Sequence, residues 1–190
     1  SGAVREIGDD YEEQLRELFA IDNPSVAHAA DFNARFTAYR NGLNEKIPEW
    51  RQGKWVYYPW RSILVHTLTE SDFYKVRTAR NKNLITEEEQ KHYYDATVGI
   101  AGLSVGNSVA LALILQGAAR KIKLADMDRL ALSNTNRIRT GIDNLGALKV
   151  DMTARQIYEL NPYADVETFS DGITPENIGK FFEGLNIVID

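Results

Sequence analysis

The stretch from Val98 to Asp126 constrains this chain more than any other, because it has the order of a nucleotide-binding βαβ unit. A short apolar strand, Thr97 to Ala101, runs through glycine-punctuated sequence, Gly99-Ile-Ala-Gly-Leu-Ser-Val-Gly106, into an apolar helix expected from Ser104 to Gln116, with Gly117 as its stop. A second strand starts at Lys121 and ends in acid at Asp126. The alternation then continues. Leu148 to Leu160 has helical spacing and is ended by Asn161-Pro162, and Asp165 to Phe169 is strand-like. Thr174-Pro175-Glu176 reads as an N-cap with proline at the first position of a helix running to Phe182, and Asn186 to Asp190 is a fourth strand. Strands that alternate with helices imply a parallel sheet covered on both faces.

Residues 1–95 have a different texture. Tyr11, Leu15, Leu18 and Phe19 fall at helical spacing, as do Phe32, Phe36, Tyr39 and Leu43, so two amphipathic helices are expected on either side of Asn23-Pro24-Ser25. Trp55-Val-Tyr-Tyr-Pro-Trp60 and Ile63 to Leu68 are β-branched and aromatic, and Pro59 confines the first to an edge or a break. The aromatic set Trp55, Tyr57, Tyr58 and Trp60 is expected to serve core packing, with a docking surface as the alternative. Ser71 is the expected N-cap of a helix running to Arg80, Asn81-Lys-Asn83 is a polar joint, and Thr86-Glu-Glu-Glu89 is a capping-box signature. The expected organisation is an accessory helical and extended region over 1–70, connecting helices over 71–95, and an α/β domain with a Rossmann-like parallel sheet over 96–190.

Composition narrows the partners. With 44% hydrophobic and 26% charged residues the chain can build a core, and a net charge of −5 from 22 basic and 27 acidic residues gives no reason to expect nucleic acid or an anionic membrane. The longest apolar run, Val109 to Leu115, is far short of a membrane span, and the absence of cysteine excludes disulfides, thiolate zinc sites and a cysteine nucleophile within these residues. A cytoplasmic protein fits these traits. His28, His66 and His92 are too widely spaced to suggest a metal site, so no metal ligand is assigned. Ser1-Gly2 reads as an expression-tag scar, and a chain that stops on a buried-type strand is expected to be a piece of a larger protein.

The glycine turn departs from the dinucleotide fingerprint. Aligned on Gly99 it is Gly99-x-Ala101-x-x-Ser104, which keeps only the first glycine; Gly102 is then expected to let phosphate approach the backbone, and Gly106 to allow close packing of helix on strand. The helix N-terminus would still offer free N–H groups to a phosphate. Asp126, 22 residues after Ser104, stands where an acid can hold ribose hydroxyls. This much also suits an NAD(P)-dependent oxidoreductase, or a tight turn with no ligand.

The sequence after the acid is more specific. Asp126-Met-Asp128, a short apolar spacer, Ser133-Asn134 and Arg137, followed by Lys149-Val150 and Asn161-Pro162, closely resembles the ThiF/MoeB/HesA adenylyltransferases, which are related to ubiquitin-activating enzymes. The resemblance covers about residues 77–190. It implies that the C-terminal carboxylate of a ubiquitin-like or sulfur-carrier protein attacks the α-phosphate of ATP, with Mg²⁺ as the accompanying ion. By position in the motif, Asp126 would bind ribose, Arg137 and Lys149 the phosphates, and Asn134 the loop or the phosphates, so the nucleotide-binding set is Gly99, Ala101, Gly102, Ser104, Asp126, Asp128 and Asn134. Upstream, Arg77-Thr-Ala-Arg80-Asn81 resembles the family's Arg-x-x-Arg-Gln segment, with Asn in place of Gln. That makes Arg80 an arginine finger reaching the other subunit of a homodimer. The family's metal-linked acid would come about three residues after Asp190, so this piece is expected to be inactive alone, and a catalytically degenerate regulatory subunit of the same fold is the alternative.

Overall fold

The computed structural model describes residues 3–190, so Ser1-Gly2 lies outside the described residues. The chain divides into two compact units, Ser1–Arg80 and Asn81–Asp190.

The first unit is built on a three-stranded mixed sheet of order β1-β3-β2, from β1 (Glu6–Asp9), β2 (Lys54–Tyr58) and β3 (Ile63–Thr67), with β1 parallel and β2 antiparallel to β3. Helices α1 (Tyr11–Asp22) and α2 (Phe32–Asn44) supply its core. Tyr11, Leu15, Leu18 and Phe19, the residues the helical spacing selects on α1, cluster with Phe36 and Leu68, and Phe32 and Leu43 pack against them. The aromatic segment behaves otherwise than its composition predicts. Trp55 and Trp60 are exposed and Tyr57 and Tyr58 half-buried, because β2 is a sheet edge paired only to β3, while α1 and α2 fill the interior. Strand β1 escaped sequence reading because Glu6-Ile-Gly-Asp9 has no apolar alternation; its place is set by main-chain pairing to β3. His66 is fully buried between the stacked rings of Tyr11 and Trp55, with Nδ1 2.9 Å from Asp9 Oδ1 and Nε2 2.8 Å from the Gln52 carbonyl oxygen. Helix α3 (Glu70–Thr78) is capped by Thr69, whose hydroxyl accepts from the Asp72 N–H, two residues before the expected Ser71.

In the second unit, α4 (Glu87–Asp95) opens with the expected capping box, Thr86 and Glu89 bonding each other's backbone in both directions. Strands β4 (Thr97–Ala101), β5 (Lys121–Ala125), β6 (Asp165–Phe169) and β7 (Ile187–Ile189) form an all-parallel sheet of order β6-β5-β4-β7. Helices α5 (Gly106–Leu115) and α6 (Lys149–Leu160) contribute Ala110, Ile114, Val150 and Ile157 to the core formed with Val98, Ile100, Ile122 and Leu124. Successive strand residues point to opposite faces. Thus Ile100 of β4 meets α5 at Gly106, and Gly99 beside it faces Phe181 of α7 (Ile178–Phe182) and Leu185 on the other side. The α/β parallel sheet expected from the alternation is present; α5 and α6 cover one face, while Phe181 and Leu185 cover the other toward the C-terminal strand ends, and Ile187 and Val188 of β7 stay exposed. Two helix starts move inward. α5 begins at Gly106, not Ser104, because residues 102–105 make the turn. α7 begins after Asn177, because Thr174-Pro175-Glu176 forms a turn whose Thr174 N–H donates to Asn177 Oδ1.

Candidate functional site

The site lies at the C-terminal ends of β4 and β5, where open parallel sheets take their ligands. The chain leaves β4 at Ala101 and turns at Gly102, whose φ of +79° belongs to the left-handed region that a side chain disfavours. The Gly102 N–H donates to the Ala125 carbonyl at 2.8 Å, which ties the turn to the end of β5. Gly99, by contrast, lies inside β4, three residues before the turn, and a Cβ there would come within 2.5 Å of Leu185. Its smallness serves packing, and the register of the fingerprint moves to Gly102-x-Ser104-x-x-Asn107. The apolar run around Gly99 concealed this shift, since Val98, Gly99 and Ile100 are all buried strand residues.

Asp126 follows β5 directly and is almost buried. Its carboxylate is aimed by two backbone donors: Oδ2 accepts from the Leu103 N–H at 2.7 Å and Oδ1 from the Asp128 N–H at 2.8 Å. Lys149, at the first position of α6, is 3% exposed. A buried ammonium requires a counter-charge. It has two, Asp128 Oδ2 at 2.7 Å and Asp126 Oδ2 at 3.5 Å, and its own N–H donates to the Asp128 carbonyl. The Asp128 side chain remains largely exposed.

The loop between β5 and α6 carries the rest. Asn134 Oδ1 accepts the Ala131 N–H and so caps the 3₁₀ turn Leu132–Asn136. Arg137 is exposed, and its guanidinium is held toward the glycine turn by Nε donating to Ser104 Oγ at 2.8 Å, with Nη1 on Asn136 Oδ1 at 3.0 Å. Ile138 is buried with Leu130 and Met152, which pins the loop next to that arginine. The structure therefore brings together Ala101, Gly102, Ser104, Asp126, Asp128, Arg137 and Lys149, with Asn134 behind them. Arg80 sits exposed in the 3₁₀ turn Ala79–Asn83, at the end of the first unit.

Sequence reasoning missed three contributors. The Leu103 N–H is a backbone group with no side-chain signature. Buried Asn107 and half-buried Gln156 form a link from α5 to α6, which became legible only once the fingerprint was aligned on Gly102. The chemistry on offer is anion binding beside a polar hook: a glycine turn, a lysine and an arginine, with an aimed carboxylate joined to the turn and the lysine. No group of three or more His, Cys, Asp or Glu converges as a metal site among the described residues. Asp126 and Asp128 both face Lys149, so these residues do not form a magnesium cage. No helix among the described residues is long and apolar enough to cross a membrane.

Comparison with known proteins agrees with this fold. The ThiF family model matches residues 78–190. The chain is 36% identical over 184 residues, 96% of its length, to uncharacterized protein MT1398 of Mycobacterium tuberculosis, of which it covers 26%. It is 29% identical over 113 residues to ubiquitin-like modifier-activating enzyme 5 of Drosophila mojavensis, covering 59% of this chain and 28% of that protein. The crystal structure of Escherichia coli tRNA N6-threonylcarbamoyladenosine dehydratase in complex with ATP superimposes with a TM-score of 0.59 at 32% identity, over 65% of this chain and 51% of that one. The chain thus spans from about a quarter to about half the length of these relatives.

Proposed function

Since this chain belongs to the ThiF family, we propose that it is the nucleotide-binding part of an ATP-dependent adenylyltransferase that activates the C-terminal carboxylate of a ubiquitin-like or sulfur-carrier protein. A carboxylate oxygen attacks the α-phosphorus of ATP, the bond from that phosphorus to the bridging oxygen breaks, and pyrophosphate leaves with the electron pair, giving an acyl-adenylate. No protein nucleophile or proton transfer is needed. Catalysis then rests on placing the two reactants and neutralising the phosphates.

The observation that carries this reading is the convergence of Lys149 and Arg137 on the turn that follows β4, next to the aimed carboxylate of Asp126. In this reading Asp126 accepts from the ribose hydroxyls with its remaining lone pairs. Gly102, Leu103 and Ser104 give the phosphates an approach to the backbone, and Arg137 and Lys149 meet their charge. Lys149 exchanges Asp128 for phosphate on binding, a swap made easy by the exposure of Asp128. Arg80 is the proposed contribution of a second copy in a homodimer, reaching the phosphates of the opposite site. Support comes from the relative whose structure holds ATP and from the relative named as a ubiquitin-like modifier-activating enzyme.

The test is ATP–pyrophosphate exchange by the full-length protein with carrier proteins that end in a free carboxylate. Carrier-dependent entry of labelled pyrophosphate into ATP is expected. Tight ATP binding with no exchange for any carrier would instead favour a regulatory subunit of the same fold.

A further inference from the structure

We propose that Asn107 and Gln156 are positioning residues that hold the Arg137 segment against the phosphate-binding turn. The functional half of this inference rests on the ATP reading above; the structural half does not.

In the Gly102-x-Ser104-x-x-Asn107 register, Asn107 stands where the fingerprint has the glycine that lets helix and strand pack closely. Gly106 supplies that close approach here, since a Cβ on it would lie 2.6 Å from Ile100 Cγ2. Position 107 is thereby free to carry a side chain, and it carries a fully buried amide. Asn107 Nδ2 donates to Thr153 Oγ1 at 3.0 Å and to Gln156 Oε1 at 2.8 Å, and Gln156 Nε2 donates to the Arg139 carbonyl at 2.7 Å.

The direction of this chain of bonds is forced. A backbone carbonyl only accepts, so Gln156 must turn its nitrogen to Arg139 and its oxygen to Asn107, and Asn107 must answer with its nitrogen. The Asn107 end of the chain is buried, where a bond is costly to leave unmade, and the Gln156–Arg139 end reaches the surface. The segment 137–139 is consequently held at three successive residues: Arg137 by Ser104, Ile138 by Leu130 and Met152, and Arg139 by Gln156. An exposed arginine ordinarily loses much rotamer freedom when it grips a phosphate. Fixing its backbone from behind leaves only the outer torsions to order. The start of α5, which forms the floor of the turn, and the arginine that closes over it are thus joined through α6 rather than through the nucleotide.

Two variants of the full-length protein test this. Gln156→Met keeps the bulk and removes both bonds; Asn107→Gly restores the fingerprint glycine and removes the donor. Titration with ATP and with adenosine, together with amide hydrogen exchange over 137–141, gives the readouts. The expected result for both variants is an ATP affinity lower by about tenfold, adenosine affinity changed less than about twofold, and faster exchange over 137–141. ATP affinity within about twofold of wild type, or equal loss of ATP and adenosine, would overturn the proposal, because a merely structural link would weaken both ligands alike or neither. If the unsubstituted protein binds no ATP yet Gln156→Met accelerates exchange over 137–141, the ATP reading falls and the positioning stands. Unchanged exchange in that protein would end both.

Discussion

Lys149 shows how a single residue ties stability to the proposed phosphate site. Its ammonium is nearly inaccessible and lies between a buried carboxylate and an exposed one, so the two partners are unequal. Removing the lysine leaves Asp126 with its two backbone donors, which softens the usual penalty for an orphaned buried charge. Lys149→Met should therefore lower stability by about 2 kcal/mol in urea unfolding, below the 3–5 kcal/mol of a fully buried broken pair. Asp128→Asn should cost less than about 1 kcal/mol, because that carboxylate is solvated. The glycines divide in the same way. Gly102→Ala meets no neighbour but must hold φ near +79°, at a cost of about 1–2 kcal/mol. Gly106→Ala has an ordinary φ but drives a methyl into Ile100, at a cost of about 1–3 kcal/mol. Thermal unfolding measures the losses; only the Gly106→Ala loss should shrink in an Ile100→Ala background, which removes the Cγ2 methyl at the point of contact.

At the scale of elements, periodicity and capping were legible where the signal is local. The Thr86 to Glu89 box formed as written, and bonding from the Thr86 backbone and hydroxyl holds the Glu89 carboxyl below its ordinary range. A depressed folded-state value means that this contribution is present at neutral pH and lost as pH falls through that value, below the ordinary carboxylate range near 4. Wild type should thus exceed Glu89→Gln in stability at pH 7, and the gap should close as the pH is lowered below about 4, as read by circular dichroism melts. Where the signal is tertiary, sequence reading slipped by two or three residues. Thr69 displaced Ser71 because the β3 to α3 connection ends two residues earlier, and the glycine fingerprint was read from Gly99 because an isolated strand glycine looks the same whether it faces a ligand or Phe181. The aromatic run on β2 looked like core because composition does not say which strand is the edge. The candidate site was more legible than the turn that frames it. Asp126, Asp128, Asn134, Arg137 and Lys149 are spaced by motif, whereas the Leu103 amide and the Asn107–Gln156 link exist only through folding.

At the scale of the whole molecule, the α/β unit carries every residue proposed to meet the nucleotide except Arg80, and the unit Ser1–Arg80 adds a small mixed sheet with a buried histidine at its centre. Arg80, the last residue of the first unit, is the residue whose substitution tests the proposed dimeric mechanism. Arg80→Ala should leave unfolding unchanged within about 0.5 kcal/mol, as for an exposed side chain, and should reduce pyrophosphate exchange only if it completes a second copy's site. ATP binding at the turn after β4 is the central claim. Isothermal titration of the full-length protein with ATP and with NADH decides this most directly. ATP should bind, with affinity lowered at least about tenfold by Lys149→Met or Arg137→Ala, and NADH should not; NADH binding without ATP binding, or ATP affinity indifferent to both substitutions, would contradict it.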